Sequence, residues 1–328
     1  MLSIFRLILF SFIFVIGINA NSITLEKNQT ILKQGNFING IKLIDTPGFA
    51  RSLSVDDNYL FVADRESGLI VMDITDPSNP VIINSINTSG EARDIAIANN
   101  FAYIANGKTG LCIVDITNPK DLSIAGFVNF PGLAMGVEIV GDYAFVAAGR
   151  SGVQIIDITD ASRPTLKAQI KTLGISYDVL INKNYLYVAD GQAGVSIVDI
   201  SNPLKPIIKR SLDLPSLTYG LDIQNNTLYV ASNNAGLQII DITDPSKAFV
   251  KTVIKIKSEV WGVAVEGDYA YVASRSLGLA IVDLKKKRVK KYISTSDLAN
   301  QVVVKNEFAY VANSKSGVAI INLPKRQF

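Results

Sequence analysis

The chain is built on one repeated phrase. Gly68-Leu69-Ile70-Val71-Met72-Asp73-Ile74-Thr75-Asp76-Pro77 returns as Gly110-Leu111-Cys112-Ile113-Val114-Asp115-Ile116-Thr117-Asn118-Pro119 and again from Gly152, Gly194, Gly236 and Gly278. A last copy begins at Gly317. The glycines recur every 42 residues until a final step of 39. Self-similarity at this period restricts the chain to a propeller or a solenoid array.

Each repeat divides into four short strands. In the first they are expected at 51–55 (a), 59–63 (b), 69–74 (c) and 81–87 (d). Strands b and c are near-continuous apolar runs rich in Val, Ile, Tyr and Phe, as expected where both faces are buried. Strand d is more polar and carries lysine, for example Lys167, Lys171, Lys251 and Lys255, which suits an outer edge protected by charge. Turn residues separate the strands: Asp57-Asn58, Asn99-Asn100, Gly141-Asp142 and Gly267-Asp268 between a and b, Thr-Asp/Asn-Pro between c and d. The C-terminal repeat stops before its own strand d, and residues 37–45 read as an unattached strand d upstream of the first strand a. Joining the two closes a ring, so the expected fold is an all-β, seven-bladed β-propeller of four-stranded blades. An open β-solenoid is the competing architecture.

The Ile197-Val198-Asp199-Ile200, Ile281-Val282-Asp283-Leu284 and Ile155-Ile156-Asp157-Ile158 cores, with Tyr-x-Tyr/Phe-Val-Ala upstream, resemble the LVIVD-repeat family of bacterial and archaeal surface or exported proteins. The resemblance covers residues 50–323 and departs from the pattern at Asn322, where the other copies carry Asp. It implies a propeller and a periplasmic or cell-surface setting, and it brings no catalytic motif.

Composition narrows the chemistry. Among the 328 residues there is no histidine, which excludes His-based acid–base catalysis, Ser–His and Cys–His nucleophile pairs and imidazole metal sites. The one cysteine, Cys112, lies in a strand c and reads as buried filler. A net charge of +3 is too mild to make nucleic acid the expected partner. Arg6 followed by an apolar run over 7–18 and Asn19-Ala20 reads as an export signal, residues 1–20. The run is short for a transmembrane helix, so no integral membrane span is expected after cleavage. Residues 21–34 read as a spacer and 35–328 as the propeller.

The recurring Asp73, Asp115, Asp157, Asp199, Asp241 and Asp283 are expected to hold the turn that follows each strand c, because repetition at every blade is structural. Positions where the repeats disagree are more informative. The residue opening strand a reads Arg51, Arg93, Met135, Tyr177, Tyr219, Trp261 and Asn300. Strand a is innermost in a propeller, so these residues should meet at one mouth of the central channel. The b–c loops should join them there, with Asp64-Arg65-Glu66, Asn106-Gly107-Lys108, Gly149-Arg150, Asp190, Asn233-Asn234, Ser274-Arg275 and Asn313-Ser314-Lys315. Arginine forks suit carboxylate or phosphate, and flat aromatics suit sugars or rings. Arg51, Arg93, Tyr177, Tyr219 and Trp261 are therefore the candidate site for an anionic or glycan-like ligand or an acidic partner loop.

Deeper in strand a, Asp94, Glu138, Asp178 and Asp222 sit at two depths, which suits solvated or backbone-bonded carboxylates better than one ring of Ca²⁺ ligands. The sixth c–d turn is replaced by Lys285-Lys286-Lys287-Arg288-Val289-Lys290-Lys291, a basic stretch able to touch anionic surfaces on the opposite face. Together these features point to an exported, non-enzymatic binding or scaffold module of the cell envelope with no cofactor. The rivals are a propeller hydrolase or lyase using the channel carboxylates with a divalent metal, and a structural envelope protein that assembles through its faces.

Overall fold

The computed structural model describes residues 40–323. The expected export signal and spacer, residues 1–34, lie outside the described residues, as do 35–39 and 324–328. Twenty-eight strands form seven four-stranded antiparallel sheets. The first blade holds β2 (Ser52–Asp56), β3 (Tyr59–Ala63), β4 (Leu69–Asp73) and β5 (Val81–Ile86), so strands a, b and c fall within one residue of their expected bounds. Strand a begins at Ser52, leaving Arg51 just outside it at the mouth.

The inner strands of the remaining blades are β6 (Asp94–Ala98), β10 (Gly136–Val140), β14 (Asp178–Asn182), β18 (Gly220–Gln224), β22 (Gly262–Glu266) and β26 (Gln301–Lys305). Each touches the next, and β26 touches β2, so the ring is closed and the open solenoid is ruled out. Closure is made by β1 (Ile41–Ile44), which pairs antiparallel with β28 (Val318–Asn322), Ile41 opposite Ile321 and Ile44 opposite Val318. The N-terminal strand thus completes the last blade. Lys42, 3% exposed on β1, locks the join by donating from Nζ to the Ser78 carbonyl in the c–d turn of the first blade at 2.7 Å.

The core is not one mass but seven layers, each between the faces of neighbouring blades. The layer at the closure contains Ile44, Leu53, Leu60, Ile70, Met72, Tyr310 and Ile320. Strands b and c are buried on both faces for this reason, whereas the outer strands such as β17 (Ile207–Leu212) stay largely exposed. Cys112 belongs to such a layer, between the first and second blades. It is fully buried, and burial pushes its thiol up to about 12.

The glycine that opens each repeat has a steric cause. Gly68 takes φ +80°, and a Cβ there would stand 2.3 Å from the Ile86 carbonyl oxygen, where strand d runs past the b–c turn. The aspartates ending strand c act as expected: Asp73 Oδ1 accepts from the Thr75 backbone N–H at 2.8 Å and Asp115 Oδ1 from Thr117 at 2.9 Å. The Thr75 backbone and side chain hold the Asp73 carboxyl below its usual range, and the Thr117 side chain and backbone do the same for Asp115. In the fifth blade Asp241 pairs with Phe249, eight residues on; in the sixth, Asp283 pairs with Arg288, five residues on. The difference of three residues accounts for the short final period. The basic stretch is a tightened turn running into β25 (Arg288–Ile293), with Lys285 paired to Asp268 at 2.7 Å and Lys290 over the Tyr269 ring.

Strand alternation fixes the two faces. The b–c and d–a loops open on one face, the a–b and c–d turns on the other. Gly40 and Leu323 both lie on the second face, since Gly40 accepts from the Asn322 N–H and Leu323 donates to the a–b turn at Glu307. Among the described residues no helix is long and apolar enough to cross a membrane.

Candidate functional site at the channel mouth

The seven opening residues do converge. Arg51, Arg93, Met135, Tyr177, Tyr219, Trp261 and Asn300 line one cavity of about 440 Å³, joined by Phe49, Arg65, Arg275 and Leu298. A narrower throat of about 100 Å³ lies beneath and reaches Ser52, Asp94, Asp178 and Gln301.

The wall has two halves. Tyr177, Tyr219 and Trp261 stand on three successive blades, with Tyr177 edge-on to Tyr219 at 4.8 Å and Tyr219 stacked on Trp261 at 4.8 Å. The arginines complete the wall, two of them directly against these rings. Arg275 places its guanidinium 3.8 Å from the Trp261 ring centre and Arg51 places its own at 4.5 Å, both within the range of a cation–π contact. Asn300 holds the same two side chains: its Oδ1 accepts from Arg275 and, at 3.5 Å, from Arg51. Its Nδ2 donates to the Ala50 carbonyl at 2.9 Å and to Ser314 Oγ at 3.0 Å, which fixes the amide. Arg93 and Arg65 share Glu91, at 2.6 and 3.1 Å.

Four guanidinium groups therefore surround one cavity, and Glu91 is ion-paired to two of them. Burial and the charges of Arg93, Arg275 and Arg65 bring Arg51 down to about 10. The Nε atoms of Arg65, Arg93 and Arg275 and the Trp261 indole nitrogen are buried without a hydrogen-bond partner. A buried unpaired donor costs about 1–3 kcal/mol. The mouth thus combines like-charge repulsion with unpaired donors, and negative charge placed among the arginines offsets the first.

The inner carboxylates have a different job. Asp94 accepts from Ser52 Oγ at 2.5 Å and from the Val137 N–H of the next blade at 2.8 Å. Asp178 accepts from Leu221 N–H at 3.0 Å, and Asp222 from Val265 N–H at 2.5 Å. Each fastens its blade to the following one. Burial raises all of these carboxyls: Asp222 to about 6, Asp94 upward against its hydrogen bonds, and Asp178 well upward with the Asp94 charge adding. Burial, with the Asp94 charge, brings Glu138 to about 8. Asp94, Asp178 and Asp222 are backbone-bonded rather than solvated.

Some rim residues expected from the b–c loops point elsewhere. Asp64 accepts from Thr46 Oγ1 and the Gly48 N–H, Asn106 bonds Thr88, Asp190 bonds Ser176 and Gly174, and Asn313 bonds Thr295. These side chains tie the b–c loop to the preceding d–a loop inside the protein. Arg65, Arg275 and Ser314 are the expected loop residues that line the cavity, while Lys108 and Arg150 are exposed away from it. Phe49 and Glu91 had no place in the sequence reading. Both stand two residues before the opening residue, where the repeats read Phe49, Glu91, Leu133, Ile175, Leu217, Glu259 and Leu298. That position also disagrees between blades, though less than the opening one, and the same criterion would have found it.

Comparison with solved structures finds the propeller fold at low sequence identity. The chain is similar to a computationally designed protein, Ika8, at 10% identity over 88% of this chain and 94% of that one, with a TM-score of 0.65. It is similar to the WD40 β-propeller domain of Doa1 at 11% identity over 86% and 95%, with a TM-score of 0.71. These likenesses concern the fold alone. No curated protein matches the sequence. The model of the LVIVD repeat matches seven times, at residues 47–88, 89–129, 131–172, 173–213, 218–253, 258–285 and 298–322. With its repeats matched blade for blade, the chain belongs to the LVIVD-repeat family.

Proposed function

We propose that the protein is a non-enzymatic binding module, exported to the periplasm or cell surface, that holds an anionic ligand or partner at the mouth of its channel. One observation carries the reading: four arginines line one cavity and two of them rest on the Trp261 ring rather than on a carboxylate. A guanidinium positioned by a π face keeps its charge and its forked donors for an incoming oxyanion. The inner carboxylates favour a binding role over metal-assisted hydrolysis, because Asp94, Asp178 and Asp222 already accept backbone N–H groups from the next blade. Export rests on the basic and apolar pattern of residues 1–20.

The test is a thermal-shift screen of residues 21–328 against acidic peptides, uronic-acid oligosaccharides and divalent metals. Arg93→Ala and Trp261→Ala are run beside the wild type. A ligand that binds only the folded state raises the midpoint with concentration. The expected result is a rise with acidic compounds that both substitutions abolish. A rise confined to Ca²⁺ and indifferent to both would sink the mouth as the site.

A further inference from the structure

The mouth is more selective than its charge alone implies, and its second feature is apolar. The aromatic half of the wall is already engaged: the Trp261 ring is covered by Tyr219 and two guanidinium groups, and Tyr219 also meets Tyr177. The Trp261 ring in particular is taken up by these contacts rather than held open for a sugar. Around the arginines, however, apolar side chains hold the position two residues before the opening one in five of the seven repeats, Glu91 and Glu259 taking it in the other two, and form an interrupted collar. Phe49 and Leu298 line the cavity, and Leu298 is 36% exposed. Leu133, Ile175 and Leu217 hold the equivalent position and are half-buried. On the same face Leu173, in a d–a loop, is 80% exposed. Apolar groups left facing water on one rim mark a contact surface.

A free acidic sugar would satisfy the arginines and leave this collar wet. A polypeptide loop satisfies both. Resting on the reading of the mouth as a binding site, we infer that its occupant is an acidic protein loop, with an Asp or Glu side chain entering among Arg51, Arg93 and Arg275 and flanking apolar residues seated on the Phe49–Leu298 collar. The carboxylate meets the guanidinium forks in the geometry they favour, within a partly desolvated cleft where such a bond is strongest. Trp, Tyr and Arg are also the residues on which protein–protein binding energy concentrates. A cavity of about 440 Å³ accepts a loop tip of a few side chains.

The probe is a library of disulfide-cyclised heptapeptides, selected on the folded wild-type protein. Fluorescence anisotropy of the recovered peptides against Arg93→Gln and Leu298→Ser follows, with a uronic-acid oligosaccharide measured in parallel. The expected outcome is enrichment of Asp or Glu flanked by Leu, Ile or Phe. Arg93→Gln should weaken those peptides about ten-fold or more, and Leu298→Ser about three-fold or more. Leu298→Ser leaves every guanidinium in place, so a loss there reports the collar. Recovered peptides without acidic enrichment, or acidic peptides indifferent to Leu298→Ser, overturn the inference. Sugar binding without peptide binding overturns it while leaving the anion-binding mouth intact, and binding of neither overturns both.

Discussion

Replacing Glu138 with glutamine should stabilise the protein at neutral pH and do much less in mild acid. Glu138 lies on inner strand β10, where burial and the nearby Asp94 charge bring its carboxyl to about 8. An unfolded glutamate titrates near 4.3, so between that value and about 8 the folded state binds a proton that the unfolded state releases. Unfolding then becomes easier as pH rises. The slope is about 1.4 kcal/mol per pH unit, which over the span from pH 4.5 to 7 amounts to about 3 kcal/mol. Below pH 4.3 both states are protonated and the penalty disappears. Glutamine keeps the shape and cannot ionise. Urea unfolding of wild type and Glu138→Gln at pH 4.5 and pH 7 checks this: the difference in unfolding free energy should widen by about 3 kcal/mol at the higher pH. Asp222, raised to about 6, adds a slope of the same sign to both proteins and cancels in the comparison. An equal difference at both pH values would refute the reasoning, because it would mean that Glu138 titrates alike in the folded and unfolded chains.

Two further outcomes follow from the fold. Removing residues 21–45 takes away β1, the buried Ile44 and the Lys42 lock, and should cost on the order of 5 kcal/mol; an unchanged melting temperature would show that the ring does not depend on its N-terminal strand. Cys112 should resist iodoacetamide at pH 8 in the folded protein and react on addition of denaturant, because its thiol is raised to about 12 by burial; fast labelling of the native chain would contradict that burial.

The blades were legible because each repeat carries its own boundaries, from the glycine that strand d crowds to the aspartate that holds the next turn. The mouth was legible in part for the opposite reason. Arg51, Arg93, Tyr177, Tyr219 and Trp261 stand out where the repeat breaks its own pattern, and the ring geometry brings them together. What stayed hidden depends on distances between blades. No local pattern indicates that Asp94 accepts from Val137, 43 residues away, or that Arg51 meets Asn300 across the closure. Nor could the b–c loops be sorted by residue type alone: Arg65 turns to the cavity while its neighbour Asp64 turns inward to Thr46. Glu91 stands at a position that varies between repeats, but only the folded ring shows that it is shared by Arg65 and Arg93.

Because β1 enters and β28 leaves on the same side, residues 40 and 323 lie on the face away from the mouth. Anything joined directly at either residue starts from the back of the disc. A sensor surface, a fluorescent protein or a bilayer attached there would present the arginine-lined opening outward, as a dish antenna is held by its back. Coupling the protein through an outer strand such as β17 would instead set the disc on its rim, with the opening turned sideways.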